Sequence, residues 1–433
     1  MKFMPLRLGF RYLVRYRRLY SFLFFALLFC FAVISAVAAI YSYMSDNVYS
    51  AAQLHYGGDV FILGFDKKVD GIGYIGSNEK LQSVVAGAGL SKLKQVYRTN
   101  LQRRGTVYFN GKGIMQKNIF GIDIANELDS FKKLDFAAGS ADSMLDSRKI
   151  FLSSRVADKL GAKVGDDIVV KTPTVSGQIN TGNFVIGGII RDNSIFGYFR
   201  CFMDRRELNR LVGLADGEYS SLGLINTTGK SNARLSAMLY NQIALQLPHS
   251  DHITRKEELT AEMGKSWKNL RYFAVSLNVF VSEVISILEV LELVSYFLYA
   301  MLLLITLGSS IITVRLILNE RSGELGVMKA LGLWKPRLHR MLLTETFILI
   351  VLACSAGFLV SLLILKLTAA LKFGTIPGFD VFLRNNVLSG KPEAGRIFLN
   401  IGVIFCIVLP SVSFSIRKVL NEPCVKLLSG AGK

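Results

Sequence analysis

Four long apolar runs divide the chain into membrane-like and water-like parts. Each run has a charge-free core of about 20 residues, and a helix of that length crosses a hydrocarbon layer about 30 Å thick once. The sequence therefore predicts four transmembrane helices, at 21–45, 293–314, 341–365 and 397–416.

The first run has an alternative interpretation as a cleavable signal peptide. It has a basic start, and "AVAA" at Ala36 to Ala39 is similar to a cleavage site. The apolar stretch is longer than the usual core of a signal peptide, about 7–15 residues. We therefore expect a retained membrane anchor.

The region between the first two runs has the pattern of a mixed α/β domain. "YGGDVFILGF" predicts a glycine turn into a strand, and Asn110-Gly111 between two strand-like runs predicts a hairpin. "SSRVADKLGAKVGDDIVV" predicts a serine-capped short helix that stops at Gly161, a turn at Gly165-Asp166 and a strand. "NFVIGGII" would be the partner strand.

From Arg255 onward, apolar residues recur in steps of three or four. This spacing predicts one amphipathic helix over 255–292 that runs into the second span as a stalk. The stripe packs either on the chain's own domain or on another helix or subunit, and the two alternatives remain open. The candidate stalk or dimer residues are Trp267, Leu270, Phe273, Leu277 and Phe280.

A compact polar segment, "ERSGELGVMKALG", separates the second and third runs. Helical spacing would place Glu320 and Glu324 on one face. A neighbouring apolar stripe would contain Leu325, Met328 and Leu331. Gly332 is suited to a helix stop and Pro336 to the start of the next helix. Spacing alone also allows a surface helix that lies against lipid headgroups.

Composition and charge support a multi-pass protein with an aqueous domain. Of the 433 residues, 51% are hydrophobic and 19% are charged, which is too apolar for most soluble proteins and too charged for an entirely membrane-embedded one. The first 20 residues contain basic side chains and no acid, so the N-terminus should be cytoplasmic. The net charge of +19 therefore indicates membrane topology and contact with anionic lipids, not nucleic-acid binding.

The sequence lacks the common catalytic and cofactor motifs. It contains no G-x-x-x-x-G-K-[ST] phosphate loop, no H-E-x-x-H, no G-x-S-x-G and no cysteine pair at metal spacing. "HSDH" at His249 to His252 is typical of a solvated loop more than of a zinc site. Cys201 is the one cysteine of the outer region, which excludes an internal disulfide there. We expect no enzyme activity, no metal and no cofactor of the chain's own.

The polar segment and its surroundings resemble the signature loop of FtsX/MacB-like ABC transporter permeases. The resemblance rests on "NERSGELGVMKALGLWKPRLHRMLLTETFIL", in which Glu345 begins the third span, and on "SSRVADKLGAKVGDDIVV" and "PSVSFSIRKVLNEPCVKLL". The resemblance implies that a short cytoplasmic helix inserts into an ATP-binding partner. The residues matched for this coupling are Glu320, Arg321, Glu324, Leu325, Gly326, Lys329, Ala330 and Gly332.

The family resemblance also implies partners and a mechanism. The permease would work in the bacterial inner membrane as a homo- or heterodimer with two ABC ATP-binding subunits, which bind the ATP. Its outer parts would move as levers, so ATPase motion would be transmitted mechanically. Membrane lipids and either lipoproteins or a periplasmic adaptor are the further partners implied.

The transported substrate stays open between subgroups of the family. A separate permease of this size is most similar to the lipoprotein-releasing LolC/LolE type. The alternatives are MacB-like efflux of amphiphiles or peptides and an FtsX-like regulator of an envelope hydrolase. Phe22, Phe25 and Phe29 share one face of the first span and would line a substrate cavity or face bulk lipid.

The predicted fold is thus a four-span α-helical membrane protein with a large mixed α/β extracytoplasmic domain inserted between the first and second spans. The predicted order is a cytoplasmic amphipathic basic segment (1–20), span 1 (21–45), a MacB-like α/β domain (46–254), the stalk (255–292), span 2 (293–314), the coupling loop (315–340), span 3 (341–365), an outer loop (366–396), span 4 (397–416) and a cytoplasmic tail (417–433).

Overall fold

A computed structural model describes most of the chain. The described residues are 15–66, 75, 78–191, 196–371, 373, 382–383 and 387–423. Most of the predicted N-terminal basic segment, part of the outer loop and the end of the tail lie outside the described residues.

The chain forms two compact units. One comprises 1–45, 288–372 and 387–433, and the other comprises 46–287 and 373–386. The helices are α1 Arg17–Tyr56, α2 Asn78–Gly87, α3 Ile124–Phe131, α4 Ser154–Leu160, α5 Arg205–Val212, α6 Asn232–Gln246, α7 Lys256–Gly264, α8 Leu277–Phe280, α9 Ser282–Glu320, α10 Ser322–Ala330, α11 Lys335–Ala370 and α12 Ala394–Leu420. The strands are β1 Val60–Asp66, β2 Lys94–Gln102, β3 Thr106–Phe109, β4 Lys112–Met115, β5 Asn118–Ile122, β6 Phe136–Gly139, β7 Lys149–Ser153, β8 Asp167–Pro173, β9 Ile179–Ile190, β10 Arg200–Asp204, β11 Ser221–Ile225 and β12 Leu270–Ser276.

Long apolar helices make up the first unit. Among the described residues, four helices are long and apolar enough to cross a membrane, namely α1, α9, α11 and α12. Leu27 of α1, Ile350 of α11 and Val408 of α12 belong to one buried apolar cluster. The backbones of α1 and α11 approach closely at Gly357, where an added Cβ would lie 2.7 Å from the carbonyl oxygen of Leu28. A side chain there would push the two helices apart.

A continuous mixed sheet is the centre of the second unit. Its strand order is β12-β1-β11-β2-β5-β10-β7-β9-β8-β3-β4, with β6 paired to β9. The pairs β5–β10 and β7–β9 are parallel, whereas β1 is antiparallel to both β11 and β12. Apolar residues alternate along these strands, so the sheet has buried apolar faces. One apolar cluster contains residues of α2 and α6, and a separate cluster contains residues of α5.

Several local predictions for this unit are confirmed. Asn110 and Gly111 both have positive φ and join β3 to β4 as a hairpin. The helix α4 ends at Gly161, which has φ 72°, and β9 is the antiparallel partner of β8. The predicted serine cap is wrong in its detail, because the Ser153 side chain makes no capping hydrogen bond.

The predicted stalk helix over 255–292 is wrong. Residues 256–264 form the short helix α7, Leu270–Ser276 is strand β12, and the long helix begins only at Ser282. In β12, Phe273 and Val275 face one apolar cluster while Tyr272 and Ala274 face another. A strand with apolar residues on both faces can show the same three- or four-residue spacing of apolar positions as a helix. Pairing with β1 over seven residues stabilises the strand here.

Candidate functional site

The helix α10 lies between two of the long helices, and Arg321 separates it from α9. Gly332, with φ 86°, follows α10, and Pro336 lies in the first turn of α11, as predicted. Glu320 ends α9 and Glu324 belongs to α10, so the two acids lie on either side of a helix break. Arg321, with φ −97° and ψ 9°, interrupts the helix for one residue.

A fully buried ion pair joins this bend to α11. Arg321 and Glu345 both have 0% side-chain exposure, and Arg321 Nη1 donates to Glu345 Oε2 over 2.7 Å. Tyr20 of α1 donates its hydroxyl proton to the same oxygen over 2.7 Å. One carboxylate therefore connects α1, the start of α10 and α11.

A second carboxylate extends the network toward the surface. Glu324 Oε1 accepts a hydrogen bond of 2.7 Å from the hydroxyl of Tyr16, and Glu324 Oε2 lies 3.7 Å from Arg321 Nε. The Tyr16 ring also packs on the Arg321 guanidinium, 5.2 Å from the ring centroid. Burial and the bond to Glu324 raise the pKa of Tyr16, so this hydroxyl remains a donor at neutral pH.

The network is sensitive to the loss of any member. Burying an ion pair costs desolvation free energy, but removing one partner leaves an unmatched buried charge and costs about 3–5 kcal/mol. The buried ion pair between Arg321 and Glu345 therefore holds α10 in one orientation against α1 and α11. A rigidly held short helix can pass on a displacement that a flexible loop would absorb.

The other residues predicted for coupling have different positions on α10. Leu325 and Gly326 are buried, whereas Ala330 and Gly332 are exposed. Lys329 donates to the backbone carbonyls of Leu420, over 3.2 Å, and Glu422, over 2.7 Å. Lys329 therefore connects α10 to the end of α12. The last carbonyl groups of a helix have no partner within the helix, and the lysine cation provides one.

An exposed apolar face follows from this arrangement. Val327, Leu331, Leu333 and Trp334 are all exposed, and Leu331 is 79% exposed. The predicted apolar stripe is wrong for Leu331, because the helix ends before it and only Leu325 and Met328 pack inward. Exposed Lys335 and Arg337 follow Trp334 directly. An exposed apolar surface of this kind marks an interaction site for a protein or for the membrane surface.

The predicted stalk residues lie in the sheet unit and do not form one face. Trp267, Phe273 and Phe280 belong to one apolar cluster, and Trp267 Nε1 donates to the carbonyl of Phe65 over 3.4 Å. Leu270 packs with the opposite cluster. Leu277 is buried and its amide donates to the carbonyl of Asp59. These residues pack within the sheet unit.

The three phenylalanines of α1 are exposed. Phe22, Phe25 and Phe29 each expose more than half of their surface and point away from the buried side, where Leu23 and Leu27 lie. They are separate from the buried network of α10, so the structure does not bring them together with the coupling residues.

Sequence reasoning missed the two tyrosines of the network. Tyr16 and Tyr20 are four residues apart in the basic flank of the first run, which is where interfacial tyrosines usually occur. The sequence analysis placed Glu345 at the start of the third span but gave it no partner. The sequence does place Arg321 and Glu345 at the facing ends of consecutive apolar runs. Because charged residues near a membrane usually pair with one another, this placement could have predicted the ion pair. Among the described residues, no group of three or more His, Cys, Asp or Glu is arranged to hold a metal.

Comparison with known proteins matches the part of the chain that contains α10 and the buried ion pair. Residues 296–423 match a family model described as FtsX-like permease C-terminal, a range that contains α10, Arg321 and Glu345. A comparison with curated proteins gave no match. Among solved structures, the chain is similar to the crystal structure of the periplasmic region of MacB from Actinobacillus actinomycetemcomitans, with 12% identity and a TM-score of 0.28, over 52% of this chain and 92% of that one.

Proposed function

We propose, from the FtsX-like permease family to which residues 296–423 belong, that the chain is the membrane subunit of an ATP-driven ABC transporter. In this proposal α10 is the element that docks to an ATP-binding subunit on the cytoplasmic side of a bacterial inner membrane. The observation that carries the proposal is the buried pair of Arg321 and Glu345, which fixes α10 to its neighbouring helices.

The outward and inward faces of α10 have separate roles in this mechanism. The exposed face formed by Val327, Leu331, Leu333 and Trp334 would bind the ATP-binding subunit, because burying exposed apolar surface favours association. The charged residues Arg321 and Glu324 point into the protein and therefore position the helix. The resemblance matched Arg321 and Glu324 for coupling, and in this proposal they position α10 instead of touching the partner.

A displacement of α10 would reach four helices. Arg321 and Glu345 connect it to α9 and α11, the tyrosine hydroxyls connect it to α1, and Lys329 connects it to α12. Movement produced by ATP binding in the partner would therefore be delivered to the whole helical unit.

Within the sheet unit, the ends of α1 and α9 meet neighbouring strands. The end of α1 leads through Gly57 and Gly58 into β1, and β12 leads through α8 into α9. Arg98 donates to the backbone carbonyls of Leu54 and His55, which holds the end of α1. We propose that the paired strands β1 and β12 take the role that the sequence assigned to a stalk, and that they pass helix movement to the sheet.

For the cargo, we propose lipoprotein release from the membrane. The support is the resemblance of the sequence to the LolC/LolE type. Efflux of amphiphiles or peptides and regulation of an envelope hydrolase are the competing functions. A neighbouring gene for a second permease would favour release, one for a periplasmic adaptor would favour efflux, and one for a peptidoglycan hydrolase would favour regulation.

The docking role is tested with a pair of matched substitutions. Leu331→Asp places a charge on the proposed docking face, and Leu245→Asp places the same charge on α6, where Leu245 is 78% exposed. Both sites are open to solvent, so neither change disturbs packing. We expect Leu331→Asp to abolish co-purification with the ATP-binding subunit, and Leu245→Asp to leave it intact.

Two results would count against the docking role. Equal recovery of the ATP-binding subunit with both variants would exclude the face at Leu331 as the docking surface. Failure of the unmodified chain to capture any ATP-binding subunit, when purified from its own membranes, would exclude the proposed assembly.

A further inference from the structure

The helices α11 and α12 lie side by side and run in opposite directions in one register. The rings of Phe347 and Phe405 contact each other, with centroids 5.1 Å apart, and His339 Nε2 lies 3.0 Å from Ser413 Oγ. Eight residues separate these two contacts on each helix, so the helices advance together. The line of contacts is named the α11–α12 seam.

Two basic side chains lie at the end of this seam. On α11, Lys335 precedes His339 by four residues, so the two share a helical face. On α12, Arg417 follows Ser413 by the same distance and shares its face. The register therefore places Lys335 and Arg417 opposite each other. Packed helix axes are about 8–10 Å apart, so both side chains can reach one group placed between them.

The two basic groups have no acidic partner. Lys335 Nζ donates to the neutral amide oxygen Oδ1 of Asn421 over 3.5 Å. In the described part of the chain, no carboxylate lies within ion-pair distance of Lys335 or Arg417. Glu422 is the nearest acid along the chain, and its backbone carbonyl lies toward α10, where it accepts from Lys329. The terminal segments outside the described residues contain no acid. This end of the seam therefore carries a net positive charge.

An apolar surface continues from the basic end. Arg417 directly follows the charge-free run 397–416, so it lies at the edge of a span. Phe414 of α12 is 69% exposed and Phe347 of α11 is 48% exposed. Two cations beside exposed apolar surface match the phosphate and the acyl chains of a phospholipid, whereas a free phosphate ion would contact only the cations.

The charge of the head group decides which phospholipid is favoured. Every phospholipid has a phosphate, but a zwitterionic head group adds a cation, which the two basic residues repel. An anionic head group, such as that of phosphatidylglycerol, adds none. Basic pockets between membrane helices are a general type of binding site for anionic head groups.

We propose that the α11–α12 seam binds one anionic phospholipid, whose phosphate is held by Lys335 and Arg417. Its acyl chains lie against the apolar surface at Phe347 and Phe414. The seam is separate from the exposed face at Leu331, to which the proposed function assigns the ATP-binding subunit. The lipid site therefore goes beyond that function and does not depend on it.

The test uses the full chain in phosphatidylcholine nanodiscs and two photoreactive lipids. One is a phosphatidylglycerol and the other a phosphatidylcholine with the same diazirine-bearing acyl chain. We expect the phosphatidylglycerol to label the segments around Phe347 and Phe414 about tenfold more than the phosphatidylcholine does, because hydrogen bonds between charged groups are strong. Mass spectrometry of the cross-linked peptides gives the measurement.

Matched variants separate a built site from general attraction to a basic surface. Lys335→Gln combined with Arg417→Gln should reduce labelling by the phosphatidylglycerol about tenfold. Arg337→Gln combined with Lys418→Gln removes the same two charges from the same helix ends, at exposed positions on other helical faces. This control should change the labelling less than about twofold, because exposed charges are screened by salt.

Competition on the unmodified chain keeps the test valid if a variant fails to insert. Unlabelled phosphatidylglycerol should displace the photoreactive phosphatidylglycerol, and unlabelled phosphatidylcholine should not. Inorganic phosphate should not reduce labelling more than sodium chloride of the same ionic strength does.

Equal labelling by the two lipids would overturn the proposal, as would equal losses in the two double variants. Displacement by inorganic phosphate would overturn it in favour of a site for the free ion. The assay contains no ATP-binding subunit, so its failure leaves the co-purification test of the proposed function untouched.

Discussion

Arg321 and Glu345 form an ion pair that is closed to solvent, with 2.7 Å between Nη1 and Oε2. Arg321 lies between α9 and α10, and Glu345 lies within α11, so the pair is formed from either side of the short helix α10. Two charges without water are not themselves strong evidence of stability, because their desolvation offsets much of their attraction. The pair instead fixes the position of α10, because α10 cannot rotate without separating Arg321 from Glu345.

The first prediction concerns the loss of one member of this pair. Arg321→Met leaves Glu345 charged and buried without its ion-pair partner, so we expect a destabilisation of about 3–5 kcal/mol. The double variant Arg321→Met with Glu345→Leu removes both charges and should recover most of that loss. Thermal unfolding, with the remaining folded protein measured by size-exclusion chromatography, ranks the stability of the unmodified protein, the single variant and the double variant.

A surface pair in the same chain is the control. Arg210 and Glu207 lie 2.8 Å apart, but Arg210 is largely exposed, so Arg210→Met should change stability by less than about 1 kcal/mol. If Arg321→Met is as mild as Arg210→Met, the buried pair does not hold α10.

The second prediction concerns the clamp on the end of α1. Arg98 and Glu127 are both buried, and Arg98 Nε donates to Glu127 Oε2 over 2.9 Å. Glu127→Leu should destabilise the sheet unit by about 3–5 kcal/mol because Arg98 keeps its charge without a carboxylate. Limited proteolysis of the full chain should then cut within the sheet unit at lower protease concentration.

Glu257→Leu provides a comparison at an exposed acid of the same unit. It should leave the proteolysis pattern unchanged. Similar cleavage of both variants would contradict a special role for the clamp of Arg98.

The third prediction tests the strand that replaces the stalk. Phe65 and Arg271 are directly opposite in the β1–β12 ladder, and opposite residues of an antiparallel pair have Cα atoms about 4.5–5.5 Å apart. Phe65→Cys combined with Arg271→Cys should form an intramolecular disulfide under mild oxidation. A faster-migrating band on a non-reducing gel measures it.

Phe65→Cys combined with Lys268→Cys is the matched control, because Lys268 precedes the strand and has no partner position in β1. If residue 271 lay in a continuous stalk helix, it would not be opposite Phe65, and the first cysteine pair would not form a disulfide. Equal reactivity of the two pairs would therefore contradict the strand register.

The fourth prediction concerns Cys201, which is fully buried in β10. Burial raises the pKa of its thiol, so the reactive thiolate is scarce at pH 8 and reagents cannot reach it. Iodoacetamide should leave Cys201 unmodified in the native protein and modify it after denaturation. Ser83→Cys, at an exposed site in α2, should react in the native state. Rapid native labelling of Cys201 would contradict its position in the core.

Local signals in the sequence were sufficient for many elements. The apolar runs predicted the four long helices because helix length must match the hydrocarbon thickness. Asn110-Gly111 predicted its hairpin and Gly161 its helix end, because few other residues adopt positive φ at low cost. The motif around α10 indicated the FtsX-like family for residues 296–423.

The tertiary structure decided the features that depend on distant partners. The apolar steps from Trp267 to Phe280 fit a helix as well as a strand, and only pairing with β1 selected the strand. Tyr20 and Glu345 are 325 positions apart, and no periodicity in the sequence relates them. The sequence by itself determined which segments are apolar, where they turn and where charges interrupt them. The folded chain alone decided which of those charges become buried partners, because burial and ion pairing are set by contacts across space.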